Sequence, residues 1–349
     1  MKLPELKIGK RKVGLKYPPL IIVELGINHN GKFGLAKKII LSAKKSGAEI
    51  IKHQTHLPYY EMSEEAKNIV PVHTKENIYN IIEKCSLKVN EEKKLKQFVE
   101  SQNLTFISTP FSREAADQLN LMNVKAFKIG SGECNNYPLI EHVCKFKKPI
   151  ILSTGMNDIP SIKIACKIIE KHNVDYALMH TTNLYPTPVN LVRLNSLNEL
   201  KKNFPKAVIG LSDHTSDNLT SFAAIALGAS IIEKHYVDSK KIRTGPDISA
   251  SIDEKQLKEL IIGSKKIYSA LPGSKKPVKQ EKNTMKFAFA SVVAIKNIKK
   301  GSMLNKKNIW VKRPGTGDFL AKDYKKLLGK KVFKNIKINT QLKKKHFIN

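Results

Sequence analysis

The 349-residue chain is short of cysteine, of acidic residues and of long apolar runs. Cys85, Cys134, Cys144 and Cys166 form no C-x-x-C pair and are too sparse for a disulfide framework, so reduced thiols are expected. No uninterrupted apolar stretch approaches the ~20 residues that span a bilayer. The opening MKLPELKIGKRKVGLKYPP has no apolar core for a secretory signal, and a cytoplasmic protein without membrane segments is the expectation. Against 62 Lys and Arg stand 30 Asp and Glu, a formal charge of +32. That excess invites a nucleic-acid reading, but no zinc-finger or RNP motif is present and the lysines spread over every expected helix. Solvated helix faces account for most of the charge, and a field that draws anionic substrates for part of the rest. With 41% hydrophobic and 26% charged residues, disordered and collagen-like chains are excluded.

Eight apolar runs rich in Ile and Val recur along the chain, at 21–28, 48–55, 105–111, 126–132, 149–155, 176–183, 208–215 and 230–237. Amphipathic stretches lie between them, as in GLAKKIILSAKKSGA, where Leu35, Ile39 and Ala43 share one face. Eight strand–helix repeats close a parallel (β/α)8 TIM barrel. The rival, a doubly wound sheet, lacks a glycine-rich fingerprint after the first strand. A barrel domain is expected over 1–270. LPGSKKPVKQEKNTMK reads as a linker over 271–286. Short β-prone runs broken by Gly, Asn and Pro make 287–349 a small β-rich domain.

In such a barrel the reactive end lies at the C-terminal ends of the strands. Those ends carry Glu24, Asn28, Lys52, Gln54, Thr109, Lys128, Ser131, Glu133, Ser153, Thr154, Asn183, Tyr185, Ser212, Asp213, His214, Glu233 and His235. His214 and His235 end adjacent strands, so two imidazoles can share a divalent ion with open positions for oxygen, supported by Glu133 or Glu233. Two rim lysines with hydroxyls around them suit a phosphate. A Schiff-base lysine is the alternative chemistry for either one.

ELGINHNG (24–31), IIKHQTH (50–56), STPFS (108–112), FKIGSGECNNYPLI (127–140), TTNLYPTP (181–188), GLSDHT (210–215), GPDI (245–248) and WVKRPGTGDF (310–319) resemble the bacterial sialic acid synthases, in order and across both domains. These enzymes condense phosphoenolpyruvate with an amino sugar. The resemblance implies the same barrel followed by an antifreeze-like (SAF) domain, in a homodimer whose small domain covers the partner's barrel mouth. It implies His214 and His235 as metal ligands with Glu133 in the water shell, manganese being the first expectation and magnesium or cobalt the alternatives. It assigns the phosphoenolpyruvate clamp to Lys52, Thr109, Lys128, Ser131, Ser153, Asn183 and Ser212. Sugar contacts fall to Glu24, Gln54, Tyr185, Asp247, Phe287 and Arg313, with catalysis resting on Glu24, Glu133, Lys52 and Lys128. A family Asn that touches sugar hydroxyls is replaced here by His73. N-acetylmannosamine, giving N-acetylneuraminate, is the expected sugar; a diacetamido-dideoxy sugar, giving legionaminate or pseudaminate, is the alternative. No nucleic-acid or membrane partner is expected.

Overall fold

The computed structural model describes residues 3–71 and 76–348. The chain divides into two compact units, Met1–Pro272 and Gly273–Asn349.

The larger unit opens with an antiparallel hairpin, β1 (Glu5–Ile8) and β2 (Arg11–Gly14), turned at Gly9, whose φ of 59° suits a residue without Cβ. Eight parallel strands follow and close on themselves. They are β3 (Leu20–Glu24), β4 (Ile50–Thr55), β5 (Thr105–Pro110), β6 (Phe127–Ile129), β7 (Ile150–Ser153), β8 (Tyr176–Thr181), β9 (Val208–Asp213) and β10 (Ile231–His235). Each coincides with one of the eight apolar runs, and closure of β10 onto β3 excludes the doubly wound sheet. Among the strands described in this unit, the opening hairpin is the part that the sequence pattern does not announce.

Each of the eight barrel strands is followed by an outer helix. The first, Phe33–Lys45, buries Ala36, Ile39, Ile40 and Ala43 at helical spacing and leaves its lysines in water, two of them in the last turn where they complement the helix dipole. Glu254–Ala270 starts at a capping box, Asp253 accepting from the Gln256 amide while Gln256 accepts from that of Asp253.

Strand alternation separates two apolar cores. Residues pointing outward, such as Ile21, Val23, Ile51, Phe106 and Leu152, pack against the helices. Residues pointing inward, among them Leu20, Ile22, Ile50, Ile107, Ile151, Met179 and Ile231, fill the barrel together with Leu6, Ile8 and Val13 of the hairpin, which plugs its N-terminal end. A fully buried Ile or Leu contributes roughly 1.5–3 kcal/mol, so both layers anchor the strands whose ends carry the polar groups.

The smaller unit pairs β11 (Ser291–Ala294) with β12 (Ile309–Lys312) and is extended by isolated bridges such as Val293 to Gln341 and Ile298 to Ile336. Its own core is Val292, Ala294, Ile298, Leu304, Ile309, Leu327, Val332, Ile336 and Leu342. The stretch read as a linker over 271–286 contains a 3-10 turn, Lys279–Glu281, and most of a helix, Lys282–Ala288. The four cysteines are free, and no helix among the described residues is long and apolar enough to cross a membrane.

Candidate active site

Inside the barrel the inward positions change character along each strand. Ile22 gives way to Glu24, Ile50 to Lys52, Ile107 to Thr109, Ala126 to Lys128, Ile151 to Ser153, Met179 to Thr181 and Ile231 to Glu233. The apolar layer excludes water from below, and the polar layer above it lines a cavity of about 140 Å³. Lining it are Glu24, Lys52, Gln54, Thr109, Lys128, Ser131, Ser153, Asn183, Tyr185, Ser212, His214 and His235, together with Phe111, Thr181 and Glu233. A second hollow of about 220 Å³, lined by Pro4, Leu15, Phe204 and Val208, is mostly apolar and collects no such cluster.

Glu233 is the hub of this layer. Its Oε1 lies 3.3 Å from Lys128 Nζ and 3.6 Å from Lys52 Nζ, and accepts a 3.0 Å hydrogen bond from Ser212 Oγ. Lys52 Nζ also sits 2.7 Å from Glu24 Oε2 and donates to Thr109 Oγ1 at 3.3 Å. Lys128 Nζ donates to Ser153 Oγ at 2.7 Å, and Gln54 Nε2 to Glu24 Oε1 at 2.8 Å. Burial works against both ammonium ions. At Lys52 the carboxylates of Glu233 and Glu24 outweigh it and raise the pKa above the ordinary lysine value. At Lys128 burial, joined by repulsion from Lys52, prevails and lowers it. Gly155 borders the cluster: its amide donates to Ser131 Oγ at 3.2 Å, and a Cβ there would collide with the Asn183 amide.

The two histidines meet at the same opening, ring centroids 5.4 Å apart, with Tyr185 stacked on His214 at 4.1 Å. Burial, reinforced by His235, pushes His214 down to about 3. It is therefore neutral at pH 7, and its contact with the Thr182 carbonyl, 2.9 Å from Nδ1, puts the proton on Nδ1 and the lone pair on Nε2. His235 Nδ1 and Glu233 Oε2 are buried without hydrogen-bond partners, although Asp247 Oδ2 stands 3.4 Å from that nitrogen. An imidazole pair, with His214 held neutral by burial and unsatisfied polar atoms beside it, fits a divalent cation. Among the described residues no group of three His, Cys, Asp or Glu side chains is placed to hold an ion, so His214 and His235 stand as a two-residue pair.

Other expected residues lie elsewhere. Glu133 is half-buried off the cavity wall, where Asn136 Nδ2 donates to its carboxylate at 2.5 Å and burial raises its pKa. Asp247 stands behind His235. Phe287 and Arg313 belong to the smaller unit, both exposed. His73 lies outside the described residues. Glu233, named from sequence only as a support for metal, is the residue that reasoning undervalued. Its two-residue spacing from His235 puts both on the inner face of β10, which was the available signal.

The NeuB family pattern matches residues 39–276 and the SAF domain pattern residues 289–348. An N,N'-diacetyllegionaminic acid synthase of Campylobacter jejuni is 39% identical over 91% of this chain and 97% of its own. A pseudaminic acid synthase of Helicobacter pylori is 35% identical over 93% and 96%. The crystal structure of an N-acetylneuraminic acid synthetase from Leptospira borgpetersenii in complex with citrate superposes with a TM-score of 0.74 at 28% identity, covering 81% of this chain and 95% of that one. With the family pattern spanning more than half the chain and relatives this similar over nearly their whole length, the chain belongs to the NeuB family and is an enzyme of its synthase type.

Proposed function

We propose that this enzyme condenses phosphoenolpyruvate with the open-chain aldehyde of an acetamido sugar, giving a nonulosonate and inorganic phosphate. The observation that carries the reading is the buried pair Lys52 and Lys128, ringed by the hydroxyls of Thr109, Ser131, Ser153 and Ser212 in the cavity that also holds His214 and His235. Such a ring of donors suits a phosphate-bearing substrate.

A divalent cation on His214 and His235, manganese first, would supply Lewis-acid polarisation of an oxygen at that end of the cavity. It would also tip the charge balance. Lys52 and Lys128 are matched in number by Glu24 and Glu233, so a dication at the histidines would favour a multiply charged anion in the cavity. The protein's own groups do the rest. Lys52, Lys128 and their hydroxyl partners hold the phosphate, while Glu24 and Gln54 orient the sugar, turning a bimolecular collision into a positioned attack. C3 of the enol phosphate bonds to the aldehyde carbon, and C2 becomes cationic. Water adds to C2, and the proton it gives up passes, through Glu24, to the former aldehyde oxygen. The bond from C2 to the oxygen that carries phosphorus then breaks, phosphate leaves beside Lys52 and Lys128 with the electron pair and takes up the proton of the C2 hydroxyl as C2 becomes a ketone, and the keto acid closes to a ring.

For the sugar, the resemblance to the legionaminic acid synthase, stronger than that to the sialic acid synthetase, supports a diacetamido substrate ahead of N-acetylmannosamine. The test incubates the protein with phosphoenolpyruvate, Mn2+ and each sugar, and reads phosphate release and product mass. Phosphate release with the diacetamido sugar supports the reading, and preference for N-acetylmannosamine reverses the choice of sugar. Activity should vanish on EDTA treatment, return with Mn2+, and be abolished in His235→Ala. Borohydride trapping through Lys52 or Lys128, with EDTA-resistant turnover, would replace the reading by an imine-forming aldolase.

A further inference from the structure

Behind the two histidines lies a charged pair that the chemistry above does not use. On β9 and β10 side chains alternate, so the residues next to His214 and His235 point away from the cavity. These are Asp213 and Lys234, direct partners in the β9–β10 register, 2% and 1% exposed, with Oδ2 and Nζ 3.4 Å apart. The ammonium donates to the carbonyls of Thr215 at 2.6 Å and Asp217 at 2.8 Å. The carboxylate accepts from Thr220 Oγ1 at 2.7 Å and Ser221 Oγ at 2.6 Å through Oδ2, and from the Thr215 amide at 2.9 Å through Oδ1. The chain leaving β9 is thus wound around the pair, and His214 lies between Asp213, one of its members, and Thr215, which bonds to both members.

An apolar contact between strands and helices would satisfy packing at these positions with less desolvation. What the ion pair adds is direction: it fixes the first residues after β9 against the end of β10. We propose that Asp213 and Lys234 are positioning residues that hold His214 and His235 at the separation a shared divalent cation requires. This rests on the reading that the histidines hold the cation.

The test measures Mn2+ binding without substrates, by electron paramagnetic resonance of the free ion, alongside the unfolding midpoint. In Lys234→Met the Mn2+ dissociation constant should rise about 10–100-fold, the range found when supports behind metal ligands are removed. The KM for phosphoenolpyruvate at saturating Mn2+ should stay within about twofold, since Lys52 and Lys128 are untouched. The double variant Thr220→Val/Ser221→Ala keeps both charges and removes two donors to Asp213; it should weaken Mn2+ binding in the same direction, and it serves where Lys234→Met does not fold. As the control, Ile151→Val trims the apolar barrel layer and should lower the midpoint while leaving Mn2+ affinity unchanged. Unchanged Mn2+ affinity in a folded brace variant would reduce Asp213 and Lys234 to fold stabilisers and overturn the inference. Failure of the unaltered protein to bind Mn2+, or equal binding by His235→Ala, would instead remove the metal reading, and the inference with it.

Discussion

Lys128 shows how burial sets chemistry at the level of one residue. Its ammonium is held by Glu233 and Ser153, yet burial and the neighbouring Lys52 leave its pKa below that of a free lysine. A group with a lowered folded-state pKa loses its proton earlier as pH rises, so phosphate binding that needs the ammonium should weaken on the alkaline side before 10.5. The KM for phosphoenolpyruvate, followed against pH, should rise there, and Lys128→Met should remove that limb while lowering kcat/KM about 10–100-fold, the worth of a hydrogen bond to a charged group. An unchanged alkaline limb in the variant would assign the ionisation to another group. Lys128 was legible in the sequence as a rim lysine. Its divergence from Lys52 was not, because it depends on which carboxylates crowd each ammonium.

Among the elements, β9 packs closely against both of its neighbours. Gly210 sits inside the barrel, and a Cβ there would come within 2.5 Å of Met179 Sδ and 2.6 Å of the Ile231 carbonyl. The neighbouring strand fills the space that a side chain would need. Gly210→Ala should therefore destabilise the fold by about 1–3 kcal/mol, the usual cost of overpacking, measured by denaturant unfolding. Loss of less than about 0.5 kcal/mol would mean that Met179 swings aside without cost. The eight strands were legible because each is a short apolar run between amphipathic helices. The opening hairpin was missed for the opposite reason: ELKI and RKVG are short and lysine-bearing, and only Leu6, Ile8 and Val13, buried against the barrel interior, make them strands.

Across the whole molecule the positive charge is uneven. Residues 273–349 hold 22 of the 62 basic and 3 of the 30 acidic residues, and so carry +19 of the +32. Raising ionic strength from about 0.1 M to about 1 M shortens the Debye length from about 10 to about 3 Å. If this field helps to capture phosphoenolpyruvate, its KM should climb with salt while that of the neutral sugar stays level; equal responses would assign the charge to composition alone. The resemblance also implies that the small domain of one copy serves the barrel of another, bringing Arg313 to the sugar. A planar guanidinium can grip an amide carbonyl in a way that lysine cannot copy. Mixed, re-associated Arg313→Ala and His235→Ala subunits should then regain activity that neither has alone, and persistent inactivity of the mixture would exclude the exchange.

The sequence alone determined the barrel, the small β-containing unit and the rim of polar residues, because period-two and helical patterning are local and strand order follows chain order. It also determined the histidine pair, since adjacent strands must end side by side. Only the tertiary structure decided that Glu233 joins the two lysines, that Glu133 stands off the cavity wall, and that Asp213 and Lys234 lock together behind the histidines. The first and last of those relations depend on distances of about 3 Å between side chains far apart in sequence, which strand register and packing set and which no local pattern records; Glu133 instead meets Asn136, three residues on.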